Sequence, residues 1–416
     1  MIFYQILFNM KINRFLWISL CGISLLGASC NNNDTPVIDS LGVKTNIVLN
    51  NQQRSIVEYS NNFANELLVK VIKENENTLI SPFSLQVVLG MLANGADEEA
   101  YNEIVSTLGI GNYSQTELNE YFQKMFEGII GEEDPKVELA LANSMWIQDE
   151  YFINSNFKSQ MKQWYEASIN NVDFNDLGMV QTVIDQWAKK ATNSTIKELG
   201  LPINESTIMV LVNAIYFSGK WTAPFSEKNT SNDAFISENG MTQNVPFMHG
   251  LKKNVTYMET EDYQWVSLPF GNESFSMIFL LPKEGKDLAD ILLRAEWKAS
   301  DDAWNPSVSM ALPRFKLETV KQMEETLEAM GISKMFTKNS LSGIAENLHV
   351  SLVQQNAYLE IEESGVKASA VTSTGMESAS PEVELVEMNL NHPFAFAICE
   401  NSTGVILFMG KVAKIE

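Results

Sequence analysis

TIMVLVNAIYFSGKWTAPF, residues 207–225, is the stretch on which the fold turns. Its first thirteen residues are rich in β-branched, aliphatic and aromatic side chains and close on Gly219, the composition of a strand. Upstream the pattern is largely helical. Residues 55–73 place Val57, Phe63, Leu67, Val71 and Ile72 near helical spacing. SPFSLQVVLGMLANGA (81–96) has Ser81 to cap, Pro82 at the first helical position and Gly95 at the end, which predicts a mostly buried second helix. A third is expected over 97–108, and two more over 156–166 and 180–192, with the strand-like VELALANSMWIQ (137–148) between. Downstream, strands dominate: YQWVSLPF, FSMIFLLP, VSMALPRFKLE, LVQQNAYLEIEE, PFAFAI and GVILFMGKV, interrupted by helices near 287–294 and 319–330. Early helices and late strands predict a mixed α+β domain rather than a βαβ repeat. No repeat or linker divides residues 50–416.

The 416 residues are 45% hydrophobic and 10% aromatic, ample for a large core. A net charge of −23 with no Lys/Arg cluster disfavours nucleic acid and anionic membrane surfaces as partners. His249, His349 and His392 lack metal-ligand spacing, so no metal site is expected and each reads as structural. There is no GxSxG elbow, and no phosphate- or dinucleotide-binding Gly loop, so no cofactor is expected either. The carboxylates at 97–99 (DEE) and 132–134 (EED) are placed beside helix starts or loops, favouring helix N-termini and solvation.

The first 29 residues carry Lys11 and Arg14, then an apolar run over 15–26, then small residues, the layout of a secretory signal. Cys30 follows, then the polar NNNDTP, so the site resembles a bacterial lipoprotein cleavage site, with Gly27 where a Leu is usual. The expectation is an exported protein anchored by lipid on Cys30 at the outer membrane or cell surface, or otherwise periplasmic or secreted. Residues 30–50 would form a spacer and 51–416 the folded domain. Cys399 is then the only thiol in the folded part, which excludes an internal disulfide and reads as a small buried hydrophobe.

GVKASAVTSTGMESASPE (365–382) contains no Leu, Ile or aromatic residue, yet lies between strand-like segments. Val366, Ala368, Ala370, Thr372, Thr374 and Met376 alternate with Lys367, Ser369, Val371, Ser373, Gly375 and Glu377. One face is small and mostly apolar and the other mostly polar, the period of a half-buried strand in side chains small enough to slide between strands already in place.

NAIYFSGKWTAPF (213–225) resembles the serpin family's Asn-Ala-x-Tyr-Phe-x-Gly-x-Trp segment, including Asn213, Trp221, Pro224 and Phe225. SPFSLQVVLGMLANGA is similar to the family's second helix, LPRFKLE to a sheet strand, and NHPFAFAICENSTGVILFMGKV to its C-terminal signature. Ala395 is smaller than the residue usual after the Pro-Phe pair, and the common terminal Pro is absent. The resemblance implies one α+β domain of three β-sheets and eight or nine helices. Its exposed reactive-centre loop would span about residues 363–382 and serve as bait for a protease.

By that resemblance the chain is a protease inhibitor and not an enzyme. A protease attacks the loop and forms an acyl-enzyme; the cut loop then enters the main sheet as an added strand and the attached enzyme is distorted before deacylation. About ten new ladder hydrogen bonds at roughly 1 kcal/mol each make the uncut form a kinetic trap. Glu363, Gly365, Val366, Ala368, Ala370 and Thr372 fall in the hinge. Ser81, Ser84 and Asn213 fall at the polar cluster below the parting strands, with Gln355 where the family often has a His; a Gln does not titrate, so pH sensitivity from that His is absent. Trp221 and Glu363 mark the point of first insertion. Counting a standard loop from Glu363 puts the scissile bond at Ala379–Ser380, with Met376–Glu377 the alternative. A small residue there suits elastase-like, proteinase-3-like or subtilisin-like serine proteases, with papain-like cysteine proteases a further class. A monomer is expected. The other reading is a non-inhibitory serpin acting as a binding or chaperone-like protein.

Overall fold

In the computed structural model, which describes residue 44 and residues 46–131, 134–366 and 385–415, local capping sets the helices. Asn50 accepts the Gln53 amide and Gln53 reaches back to the Asn50 amide, starting the Asn51–Val71 helix. Ser81 caps Pro82–Ala93, in which every residue is buried; it is the helix on which the sheets are laid. Glu98–Thr107, Ser155–Tyr165 and Leu177–Ala191 follow near the expected places, and Leu288–Leu292 and Glu324–Ala329 are short. The helix Gln115–Ile130, opened by a Ser114/Glu117 capping box, was not anticipated and completes eight α-helices among the described residues.

Three sheets carry the rest. The main sheet runs Phe315–Gln322, Leu352–Glu362, Met209–Gly219, Val137–Gln148, Ser168–Val172, with Gly365–Val366 added on Leu352–Glu362. A second sheet runs Thr78–Ile80, Ile406–Val412, Phe394–Glu400, Phe275–Pro282, Tyr263–Phe270, Tyr257–Glu259. A smaller one runs Leu385–Asn389, Ser307–Pro313, Thr242–Lys252, Thr230–Ile236. The large core joins the first two sheets and the Pro82–Ala93 helix. A separate core on the other face of the main sheet packs Trp146, Val210, Val212 and Ala214 under Val180, Ile184 and Ala188 of the Leu177–Ala191 helix. The architecture is α+β, as expected.

Three expectations are corrected. The helix expected over 319–330 begins only at Glu324, because Phe315–Gln322 continues as a strand with Lys321 opposite Gln355 and Gln322 opposite Gln354. Within the expected spacer, Ile47 and Leu49 are buried in the core and the Ile47 amide donates to Ser402 Oγ, so packing begins ahead of residue 51. Asp134 serves neither a helix start nor solvation: it is buried, and its carboxylate accepts the amides of Lys136 and Asn272. The leader 1–29, Cys30 and most of the spacer lie outside the described residues.

Glu324 ties the first turn of its helix to the main sheet by accepting the Val353 amide at 2.5 Å. Burial raises its carboxyl pKa, only partly offset by that bond. A carboxyl with a raised folded pKa stabilises the fold fully below its unfolded pKa, and that contribution is lost as pH rises through the folded value. Glu324→Gln keeps the acceptor and removes the charge. It is expected to raise the thermal midpoint at pH 7 by a few degrees, with the advantage vanishing near pH 4, as melts of both proteins at the two pH values will show.

Candidate functional site

Leu352–Glu362 and Met209–Gly219 pair in parallel from Leu352 opposite Val210 up to Tyr358 opposite Tyr216, and there the ladder stops. Above that point the two strands fork. Leu352–Glu362 turns back through Ser364, and Gly365–Val366 pairs antiparallel with it, Val366 opposite Ile361 and Gly365 opposite Glu362. On the other side Gly365 bridges Lys220, also antiparallel, and Ser218 Oγ donates to the Val366 carbonyl at 3.2 Å. Two residues are thus wedged into the fork. Val366 is 2% exposed. Gly365 has φ +136°, and a Cβ there would lie 2.0 Å from the Gly219 carbonyl oxygen and 2.7 Å from Lys220 Cα, so no other residue fits. Below the wedge a cavity of about 680 Å³ is lined by Tyr216, Phe217, Tyr358 and Val366.

The root of the wedge is clamped from one side. The Trp221 amide donates to the Ser364 carbonyl at 2.8 Å, its indole Nε1 donates to the Glu362 carbonyl at 3.1 Å, and its ring stacks on Phe270 with centroids 4.5 Å apart. The Phe225 amide donates to the Glu363 carbonyl at 2.9 Å. The Glu363 side chain, in a residue only 6% exposed, accepts two 2.9 Å bonds from Arg314 Nε, a further one from an Arg314 terminal nitrogen, and the Thr230 hydroxyl. Burial pushes its carboxyl up, but the hydrogen bonds from Arg314, Thr230 and the Glu363 backbone, with the Arg314 charge, together outweigh it and hold the pKa below the usual value.

Lower on the same strands a polar cluster lies under the seam. Gln355, Asn213 and Asn143 face one another across three adjacent strands. Gln355 Nε2 donates to the Asn213 Oδ1 (3.1 Å) and to the Ser81 carbonyl (2.9 Å), while its Oε1 accepts the Ser81 amide (2.8 Å). Asn213 Nδ2 donates to Ser84 Oγ and to Asn143 Oδ1, and Ser81 Oγ donates to the Leu407 carbonyl (2.6 Å). The cluster therefore ties the seam of the main sheet to the buried helix and, through it, to the second sheet.

Of the residues singled out in the sequence, Ser81, Ser84, Asn213 and Gln355 meet in this cluster, and Trp221, Glu363, Gly365 and Val366 meet at the fork. Ala368, Ala370, Thr372, Met376, Glu377, Ala379 and Ser380 lie outside the described residues. Sequence reasoning missed Asn143, Arg314 and Thr230. A lone amide in the apolar VELALANSMWIQ was a usable signal for Asn143; nothing marked the other two. His392 is bonded to the Pro282 carbonyl and Asn391 at 2.9 Å each, and Cys399 is buried with its thiol pKa pushed up by that burial.

Removing Arg314 leaves a buried carboxylate with only Thr230 and the turn to support it. Arg314→Met is expected to cost roughly 2 kcal/mol at pH 7, less than for a fully enclosed pair because Arg314 reaches solvent. A carboxyl with a lowered folded pKa stabilises the fold above its unfolded pKa, and the contribution is lost as pH falls through the folded value. The deficit relative to wild type, read from denaturant unfolding, should therefore shrink below about pH 4.

Residues 58–415 match the family described as Serpin (serine protease inhibitor). Human neuroserpin is 30% identical over 384 residues, covering 88% of this chain and 92% of its own. The thermophilic serpin tengpin, solved in its native state, superposes with a TM-score of 0.82 at 28% identity, covering 89% of this chain and 96% of its own. Human thyroxine-binding globulin complexed with thyroxine reaches 0.80 at 25% identity, with coverage of 88% and 99%. With that match across most of the chain, with three sheets around a buried helix and with Gly365–Val366 held in the fork of the main sheet, this protein belongs to the serpin family.

Proposed function

We propose that this serpin is a suicide inhibitor of serine proteases that traps the acyl-enzyme by inserting its cleaved loop into the main sheet. The observation that carries the reading is the wedge: Gly365–Val366 already runs antiparallel to both strands of the fork. Continuing the same register sets Ala368 opposite Leu359, Ala370 opposite Ala357 and Thr372 opposite Gln355. Leu359 and Ala357, like Ile361 beside Val366, belong to the large core, so the small even-numbered side chains would enter the apolar interior in turn. Full insertion replaces one parallel ladder by two antiparallel ones, the more stable pairing per residue.

The bond attacked in this proposal is Ala379–Ser380, with Met376–Glu377 the alternative, and the partners are elastase-like, proteinase-3-like or subtilisin-like enzymes. The inhibitor acts as an exported monomer anchored through acyl chains on Cys30. On this account Cys30→Ser moves the protein from the membrane to the soluble fraction; unchanged, fully processed membrane association would remove the anchor. Similarity to thyroxine-binding globulin supports a second reading, a non-inhibitory binding protein, which would be cut by a protease without retaining it.

Incubation with an elastase separates the two readings. The inhibitor forms a complex that survives boiling in SDS and releases a C-terminal peptide beginning at Ser380. Ala368→Arg is expected to be cut at an unchanged rate and to trap no enzyme, because an unpaired guanidinium entering the core slows insertion by orders of magnitude relative to deacylation. Stable complexes of the variant at wild-type stoichiometry would falsify the inward placement of the even-numbered residues. Cleavage of the wild type without any complex would favour the binding protein.

A further inference from the structure

An asparagine side chain closes most readily on the next backbone nitrogen when glycine follows, because no Cβ blocks the approach. Asn-Gly occurs twice in the chain, at 94–95 and 239–240. The fold treats the two oppositely. Asn94 ends the Pro82–Ala93 helix, where its Nδ2 donates to the Gly90 carbonyl (2.8 Å) and to Asn119 Oδ1 (3.0 Å), and its Oδ1 accepts Asn119 Nδ2 (2.8 Å). Gly95 is buried so tightly that a Cβ there would lie 2.2 Å from Ile344. Asn239 and Gly240 instead form the exposed turn between the Thr230–Ile236 and Thr242–Lys252 strands, and no described atom lies within 4 Å of where a Gly240 Cβ would be. Asn239 Oδ1 accepts the Met241 amide at 3.0 Å. A side chain that reaches the amide two residues on lies across the nitrogen in between, so its Cγ is held over the Gly240 nitrogen. The Gly240 N–H donates to the Ser237 carbonyl at 2.8 Å. Breaking one such turn bond slows a reaction by no more than about tenfold.

We propose that Asn239 is a self-modification site, converting to aspartate and isoaspartate and loosening the hold on the C-terminus. The Gly240 nitrogen gives up its proton to solvent base and attacks Asn239 Cγ; the side-chain nitrogen leaves as ammonia and a succinimide ring closes. Water opens the ring at either carbonyl. Addition at Cγ gives aspartate, and addition at the backbone carbonyl carbon gives isoaspartate, whose main chain runs through the former side chain and is longer by a methylene. Overall a water is consumed, an ammonia is released and a carboxylate is gained. The turn matters because its residues bind the end of the chain. The Glu238 carboxylate accepts Lys411 Nζ through both oxygens at 2.9 Å, and the Glu238 amide donates to the Ala413 carbonyl at 2.9 Å. Gln243, past the turn, is bonded to the Ile415 backbone through both ends of its amide (2.7 and 3.0 Å). A longer turn displaces Glu238 relative to Gln243, and the new carboxylate stands beside that of Glu238.

The test holds the intact protein at pH 8 and 37 °C for several weeks beside a free peptide of the sequence ISENGMTQ. Peptide mapping reads the mass gained when nitrogen is exchanged for oxygen, and an isoaspartate-specific methyltransferase labels the branched product. Asn239 is expected to convert within about tenfold of the peptide's rate and at least about tenfold faster than Asn94, more slowly at pH 6, and mainly to isoaspartate. Asn239→Gln, which cannot close the same ring, should abolish the signal. The aged wild type should melt a few degrees below the fresh protein, while aged Asn239→Gln keeps its midpoint and fresh Asn239→Asp, with the charge but not the longer backbone, falls less. Conversion of Asn94 ahead of Asn239, or of Asn239 about a hundredfold slower than the peptide, would overturn the site. A fully converted protein that melts with the fresh one would overturn its link to the C-terminus.

Discussion

The parallel ladder between Leu352–Glu362 and Met209–Gly219 ends where Tyr358 faces Tyr216, and everything distinctive about the molecule follows from what lies above that pair. Where two strands diverge, their inner-edge backbone groups no longer pair with each other, and such groups are costly if buried without other partners. Gly365–Val366 meets part of that need by pairing with one edge and bridging the other. The conformation is available because Gly365 tolerates a positive φ and sits within van der Waals contact of Gly219 and Lys220. The described chain thus places two residues, Gly365 and Val366, between the two edges of the fork.

Two sets of interactions hold the fork. At the top, Trp221, Phe225, Arg314 and Thr230 fix the backbone and carboxylate around Glu363, which sets where the chain leaves the sheet. Below, Gln355 grips the Ser81 backbone through both ends of its amide while bonding Asn213, so separating the central strands means exchanging those bonds. In this lower set all the groups are amides and hydroxyls, which donate or accept without changing charge. Asn143 Nδ2 is buried without a hydrogen-bond partner among the described residues. Bonds of this kind can be remade in a second arrangement, as the proposed insertion requires.

Much of this was legible in the sequence, for identifiable reasons. The strand 207–219, the capped helix 81–93 and the C-terminal strands announce themselves by period and punctuation, which are local properties. The even–odd alternation of 365–376 is local too, and Val366, its one described even-numbered member, is buried opposite Ile361 as the alternation requires. What stayed hidden depends on partners far along the chain. Arg314 and Thr230 reach Glu363 from 49 and 133 residues away. Lys252 looks like one of two ordinary surface lysines in GLKKNV until the fold places Ala223 and Phe225 over its amine. The error over 319–330 has the same origin: the polar, helix-favouring composition of TVKQMEETLEAM was overridden at its start by pairing with Leu352–Glu362.

If the proposed insertion is right, a cut beyond Val366 must let the strand begun at Gly365 extend and complete the sheet. The most direct measurement is the thermal midpoint of the protein before and after a single cut between residues 367 and 384, made by a protease that is not retained. Completion of the sheet predicts a rise of about 10 °C or more, from on the order of ten new ladder hydrogen bonds spread over a domain of this size. A midpoint that stays the same or falls after the cut would contradict the account.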